Sequence, residues 1–310
     1  MWLMCWRRWL FLVGLASLGA CGPQLGSLQR GETGQVTRVI NGDTLQLESG
    51  LRVFLAEVDA PRGDQPYASQ AYGELEALAL HRTVLLAYGG TRRWVRRQRA
   101  DDANATTTIA RTGLEKGAPT SSAPQDTAAI AHVFVQSEGG RWFWLQNALV
   151  ARGAAMVRPR FDNHARTAAL LSTEDQARSA SRGLWALPDY RTLTVANASR
   201  LAQRSDETCT RGDAPYRVLQ GSIHDAQVFD RRASLVMDGG AADKPFSIVL
   251  FGDAFTHWDG PALASLSGAR VRVRGTIGAF HDQPQVCLDD SRQLEVLHGP
   301  PARAQSQSPT

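Results

Sequence analysis

The sequence predicts two consecutive β-rich units, a small α+β barrel followed by a smaller all-β barrel. Three observations carry that expectation. Short segments of alternating apolar and polar residues, separated by turn residues, recur between residues 35 and 58 and again between 218 and 297. Helical periodicity interrupts them at residues 68–81, 145–152 and 165–182. A chain of 310 residues that is 43% hydrophobic and 21% charged can bury two modest cores. The same figures exclude a wholly disordered chain, and no run of 18 apolar residues follows the N-terminus, which excludes a polytopic membrane protein. The formal charge is +4, and only Lys116 and Lys244 among the 34 basic residues are lysines. A field this weak does not identify a nucleic-acid partner on its own.

The N-terminus reads as an address. Arg7 and Arg8 stand without a nearby acid, residues 9–18 are largely apolar, and Gly19, Ala20 and Cys21 are small. That order is the order of a secretory signal, placed at residues 1–20. Leu18-Gly19-Ala20-Cys21 resembles a bacterial lipobox (18–21), whose cysteine becomes the acylated first residue of the processed chain. Gly22 after it, instead of Asp, implies the outer membrane, with the protein on the periplasmic side of the cell envelope. The membrane is then a partner through acyl chains at Cys21, several of which suffice for stable anchoring. A plain secretory signal with an incidental cysteine is the alternative. Residues 21–34, with Gly22, Gly26, Gly31 and Gly34, read as a tether. Removal of Arg7 and Arg8 would bring the charge from +4 to +2. Cys5 would leave with the signal, so Cys209 and Cys287 remain as one pair in an oxidising compartment, which suggests a disulfide. No Cys or His spacing suits a structural zinc ion.

The first unit is assigned to residues 35–190. Residues 36–40, 43–47 and 51–58 read as three strands joined at Asn41-Gly42 and Ser49-Gly50. A helix at 68–81 presents Ala71, Leu75, Leu78 and Ala79 on one face, and a strand follows at 83–88. Residues 98–127 contain six Ala and six Thr with only Ile109 and Leu114 as larger apolar groups, so a disordered insertion is expected there. A fifth strand at 130–135 precedes a helix at 145–152 ended by Gly153. A longer helix at 165–182 would turn Ala168, Leu171, Ala177 and Ala180 inward, with Gly183 as its cap. The second unit, residues 195–298, shows strands at 218–223, 233–237, 247–251, 269–275 and 294–297 and no obvious long helix. Five short strands of that kind suggest an OB-type barrel. Residues 299–310 form a tail.

Four segments then meet a known pattern: Val39-Ile40-Asn41-Gly42-Asp43-Thr44, Val58-Asp59-Ala60-Pro61, the run from Arg141 to Ala154, and Arg182-Gly183-Leu184-Trp185. In this order and spacing the first unit resembles the staphylococcal-nuclease-like (thermonuclease) family over nearly its whole length. The C-terminal unit looks like the OB-type domain that follows such domains in some bacterial proteins. The resemblance implies hydrolysis of DNA and RNA with Ca²⁺. In that family two aspartates and a carbonyl hold the ion, a glutamate activates water and two arginines hold the phosphate. A hard cation takes oxygen ligands, water needs a base, and charge growing on phosphate needs fixed cations.

By position, Asp43 and Asp59 match the metal-binding aspartates, and Ala60 would offer its carbonyl. The place of the first arginine is taken by Phe54 and that of the glutamate by Arg62. The motif that carries the second arginine is not found, and the insertion lies there instead. Arg52, Glu57 and Arg97 are the candidate substitutes. Loss of a base and of a phosphate clamp costs on the order of 10²-fold each. Arg92, Arg93, Arg96, Arg97 and Arg99 surround Trp94, a pattern that suits phosphate contacts with stacking, or simply a solvated loop edge. Trp142, Trp144 and Trp185 are expected in the core, while Trp258 and Phe280 are either buried or placed to stack bases. The expected function is an envelope-tethered protein of nuclease descent that binds nucleic acid, with weak Ca²⁺ binding and impaired or lost phosphodiesterase activity. The alternatives are an active Ca²⁺-dependent endonuclease with relocated catalytic residues and a non-enzymatic envelope interaction module.

Anchoring is directly testable. Metabolic labelling with a fatty acid should mark the wild-type chain and leave Cys21→Ala unmarked; equal labelling of both, or of neither, refutes acylation at this cysteine.

Overall fold

The computed structural model describes residues 22–91, 93–96, 127–203, 214–240 and 243–298. The signal segment with Cys21, nearly all of the expected insertion, Arg92, Arg97, Arg99, Cys209 and the tail lie outside the described residues.

The first unit opens with an antiparallel meander, β1 (Gln29–Asn41), β2 (Thr44–Leu47) and β3 (Arg52–Leu55). β4 (Val58–Asp59), α1 (Ala68–Ala79), β5 (Thr83–Tyr88), β6 (Trp94–Arg96) and β7 (Thr127–Gln136) follow. β8 (Trp142–Trp144), α2 (Leu145–Arg152), β9 (Met156–Val157) and α3 (Thr167–Ser179) complete it. β1 also pairs with β5, β5 with β7, and β7 runs parallel to β3. The ladder β1–β2–β3–β7–β5 thus returns to β1 around a core that includes Val36, Leu45, Val53, Leu86 and Val133. α1 adds Ala71, Leu75 and Ala79 to that core, and α2 adds Leu145, Leu149 and Val150. α2 ends as expected at Gly153, whose φ of 68° is left-handed and where a Cβ would collide with the Arg182 carbonyl.

Three expectations need correction. β1 begins at Gln29, so residues 29–34 are strand and not tether; they pair with β5 through backbone groups and carry no apolar alternation to reveal it. The third strand stops at Leu55, because Ala56 and Glu57 turn the chain, with Glu57 at φ 64°, before it resumes as β4. α3 buries Thr167, Leu170, Glu174 and Ala177, while Ala168 and Ala180 are exposed. Its left-handed terminal residue is Ser181 (φ 50°), not Gly183. The inward face shifted because a buried carboxylate, invisible to hydrophobic periodicity, faces the core.

Short 3₁₀ turns at Gly183–Ala186 and Pro188–Tyr190 lead into β10 (Leu193–Thr194), α4 (Val195–Gln203), β11 (Tyr216–Val228), β12 (Arg232–Met237) and β13 (Phe246–Phe251). α5 (Asp253–Thr256), β14 (Arg270–Phe280), β15 (Gln283–Cys287) and β16 (Leu294–His298) follow. The pairings β11–β12–β13–β15–β14 return to β11, with β13 and β15 parallel. That repeats the pairing order of the first unit. Four of these elements, β10, α4, α5 and β15, were not expected from the sequence. β15 contains Pro284, which reads as a turn, and α4 packs Val195, Ala198 and Ala202 inward, residues too small to mark an apolar stripe. Cys287 is disulfide-bonded. Trp185 is buried as expected, but Trp142 and Trp144 are only partly buried. Among the described residues no helix is long and apolar enough to cross a membrane.

The two units share a joint. Met156, Trp185 and Tyr190 pack with Tyr216 and Val218 in one apolar cluster. Beside it the Glu174 side chain, with no exposed surface, accepts a hydrogen bond from the Val157 N–H at 2.7 Å and pairs with Arg274 of β14, itself 3% exposed. Tyr216 Oη donates to the Val157 carbonyl at 3.1 Å.

Arg274→Met leaves the Glu174 charge buried without its partner, and breaking such a pair costs about 3–5 kcal/mol. Urea unfolding should show a loss of that size; a loss below about 1 kcal/mol would mean that apolar contacts alone hold the joint.

Candidate functional site

The site starts at the β1–β2 turn, where Gly42 and Asp43 connect Asn41 to Thr44. Asn41 Oδ1 accepts the Asp43 N–H at 3.1 Å and closes the turn locally. A Cβ on Gly42 would sit 2.8 Å from the Cβ atoms of both Ala60 and Ala71. Glycine is what lets the turn lie flat on the end of β4 and on α1, and this tucks Asp43 inward to 2% exposure. Asp43 Oδ1 accepts from Thr44 Oγ1 at 2.9 Å. Asp43 Oδ2 accepts from the Ala60 N–H at 3.2 Å and from Arg62 Nη2 at 2.5 Å.

Asp59, the last residue of β4, shares that guanidinium. Its Oδ1 accepts from Arg62 Nη2 at 3.3 Å and from Arg158 Nη1, also at 3.3 Å. The Asp43 charge holds the Arg62 guanidinium above its usual range, with Asp59 adding to it against the opposing effect of burial. Arg158 follows β9, and its backbone N–H donates to the Glu57 carbonyl at 2.8 Å. Its Nη2 reaches Thr276 Oγ1 of the second unit at 3.3 Å, Asp289 lies 4.0 Å away, and the guanidinium sits 4.8 Å above the Tyr216 ring. Burial lowers the Arg158 pKa, but Asp59 and Asp289 outweigh it and keep the group charged. The site is therefore two carboxylates threaded by two guanidinium groups, with the second unit against one side.

Residues 52–187 match the staphylococcal nuclease homologue family. The matched span is less than half of the chain; it contains Asp59, Arg62 and Arg158 and begins after Asp43. The first unit thus carries a staphylococcal-nuclease-like domain. No curated protein matches the chain.

The nuclease-like domain brings Asp43, Asp59 and Ala60 together as the resemblance implied, but not around a space for a metal. Ca²⁺ takes six to eight oxygens. Here the carboxylate oxygens that face one another are engaged by Arg62 and Arg158, and Ala60 meets Asp43 through its N–H. Among the described residues no group of three or more His, Cys, Asp or Glu is placed to hold a metal. The residues do not fit a Ca²⁺ ion.

Of the candidate substitutes, neither Arg52 nor Glu57 stands in for the missing groups. Phe54 lies opposite Thr44 on β2, next to the Asp43 turn, whereas Arg52 lies opposite Gln46, two residues (about 7 Å) further along the strand. Glu57 is sealed away from the site. Its carboxylate accepts from His132 Nε2 at 3.0 Å, from Thr167 Oγ1 at 2.7 Å and from the Arg166 N–H at 3.0 Å. Burial pushes the Glu57 carboxyl up, but these hydrogen bonds and the field of His132 outweigh it and leave the pKa lowered. It is an anchor for the N-terminus of α3, where a negative charge is favoured. Of the arginine run, Arg93 donates to Gln29 Oε1 and lies 5.4 Å over the Tyr88 ring, and Trp94 packs on the core. Arg92, Arg97 and Arg99 lie outside the described residues, as does the side chain of Arg96. Arg158, Thr276 and Asp289 were missed by sequence reasoning. No motif or spacing marks them, because only the path of the chain puts them beside Asp59.

Glu57 makes a pH prediction. A carboxyl whose pKa is lowered by folding contributes stability above its ordinary value, near 4.5, and loses it as the pH falls through the folded value. Glu57→Gln should cost about 2 kcal/mol or more at neutral pH, with the gap to wild type narrowing in acid. A gap that stays constant into acid would show that the carboxylate charge is not what anchors α3.

Proposed function

We propose that the chain is an envelope-tethered protein of nuclease descent that binds nucleic acid and has lost most of its phosphodiesterase activity. One observation carries the loss: the Arg62 guanidinium lies between Asp43 and Asp59, at the position where the resemblance expects the water-activating glutamate. A guanidinium cannot accept a proton at any working pH. Phe54 at the clamp position offers no charge to a developing oxyanion. Glu57, the remaining candidate base, is fully committed to His132, Arg166 and Thr167. Among the described residues nothing in the geometry favours a relocated catalytic centre.

The pairing order of the second unit supports an OB-type barrel, a fold that uses the loops after its first and fourth strands to bind oligonucleotides. Phe229, 44% exposed, lies in the loop between β11 and β12, with Arg232 4.9 Å over its ring. Phe280, 54% exposed, ends β14 beside His281, which stacks on it at 4.3 Å. Exposed rings bordered by cationic or imidazole groups suit sequence-tolerant stacking on single strands. Tethering rests on the lipobox-like Leu18 to Cys21 and places this binding surface in the envelope.

The assay is cleavage of labelled single- and double-stranded DNA and RNA with Ca²⁺, beside a chain carrying Asp43→Ala and Asp59→Ala. Turnover should fall at least about 10²-fold below that of a nuclease with its base intact. Salt-sensitive binding to single strands should persist and weaken in the Phe229→Ala, Phe280→Ala chain by about 1–3 kcal/mol per ring. Robust cleavage abolished by the aspartate substitutions would overturn the loss of activity, and binding unchanged without the two rings would remove the second unit from the interface.

A further inference from the structure

We propose that the Arg62 guanidinium is the resident cation of the Asp43–Asp59 pair, so that this chain neither takes up Ca²⁺ there nor depends on it for stability. The proposal rests on the assignment of that pair as the family's metal position and is independent of whether cleavage survives.

The geometry is that of a built-in counter-ion. One nitrogen, Arg62 Nη2, lies 2.5 Å from Asp43 Oδ2 and 3.3 Å from Asp59 Oδ1, so a single positive group joins two carboxylates brought together from the β1–β2 turn and the end of β4. The approach is preorganised. The Arg62 N–H donates to Gln65 Oε1 at 3.0 Å and the Arg62 carbonyl accepts from the Gln65 N–H at 3.0 Å, which fixes the backbone from which the side chain reaches back. Asp43 keeps its other acceptor bonds from Thr44 and Ala60, so the pair is already satisfied by donors.

Charge points the same way. Arg158 brings a second positive group to Asp59 at 3.3 Å, and an incoming divalent ion would meet two guanidinium groups against two carboxylates. The ion would also have to displace Arg62, a group that prefers planar hydrogen bonding to oxygen and loses little hydration in making it. Because Arg158 also touches Thr276, and lies over Tyr216, the internal cations tie the site to the second unit, which a free metal ion would not do.

The test uses the full chain and Ca²⁺ alone as the probe. Equilibrium dialysis and thermal unfolding in Ca²⁺ and in chelator are run on wild type, Arg62→Lys, Arg62→Gln and Arg62→Glu. Wild type should bind no Ca²⁺ below about 1 mM and unfold at the same temperature in both media. Arg62→Gln and Arg62→Glu should unfold several degrees lower in chelator. Arg62→Lys, which retains a charge, should lie nearer wild type, and Ca²⁺ should restore part of the loss in Arg62→Glu, where a carboxylate replaces the blocking cation. Ca²⁺ binding by wild type that disappears in Asp43→Ala overturns the proposal, as does an Arg62→Gln chain as stable as wild type in chelator. If the Arg62 variants fail to fold, the wild-type dialysis and unfolding data decide it alone. A chain that binds Ca²⁺ without cleaving fails this proposal and leaves the proposed function standing, whereas cleavage without Ca²⁺ binding does the reverse.

Discussion

Glu174 is a carboxylate with no exposed side-chain surface, and the arrangement of both units depends on how it is satisfied. A buried charge survives only where partners saturate it. Its partners are the Val157 N–H, at the end of β9, and Arg274 on β14. β9 pairs with β4, with Val58 opposite Val157 and Asp59 opposite Met156. One group therefore fixes the helix α3, the short ribbon that ends in Asp59, and the second unit. The next residue along the chain, Arg158, leaves this ribbon aimed at Asp59. The site is built on the joint, and the joint is built on a charge that would be intolerable if left alone.

Charge balance also sets the surroundings of Asp59. Catalysis of phosphodiester hydrolysis needs an acceptor for a proton and cations free to meet the phosphate. Around Asp59 the cations are spent on carboxylates: Arg62 on Asp43 and Asp59, Arg158 on Asp59 with Asp289 nearby. The other carboxylate in the neighbourhood, Glu57, is spent on anchoring α3 through Thr167 and Arg166. Internal satisfaction of these groups stabilises the fold at the expense of groups poised for substrate. The two exposed phenylalanines of the second unit are the reverse case, with apolar area left to water at hairpin ends.

Much of the first unit was legible because its signals are local. Asn41-Gly42 marked the turn, Gly153 marked the end of α2, and Thr83–Tyr88, a short apolar run closed by Gly89-Gly90, was read to the residue. The replacements Phe54 and Arg62 were equally plain, since they need only a count from the Asp-x-Pro at Asp59 to Pro61. Illegible features had non-local causes. The first residues of β1 are polar and become strand only because β5 lies beside them. The inward face of α3 is set by Glu174, which a hydrophobicity pattern assigns to solvent.

The sequence by itself determined most of the strands, the glycine-marked turns, the nuclease-like frame and the identity of the residues at the family's site positions, because each is written within a few neighbouring residues. It did not determine what those residues do. Arg62 could have faced water; it reaches back 19 residues to Asp43 because Gly42 lets the turn settle on Ala60 and α1. Arg158 looked like one arginine among 32 until β9 and β4 were paired and the second unit placed Thr276 within 3.3 Å of it. Those contacts join groups far apart in the chain. Only the closed path of the backbone decides which of them meet.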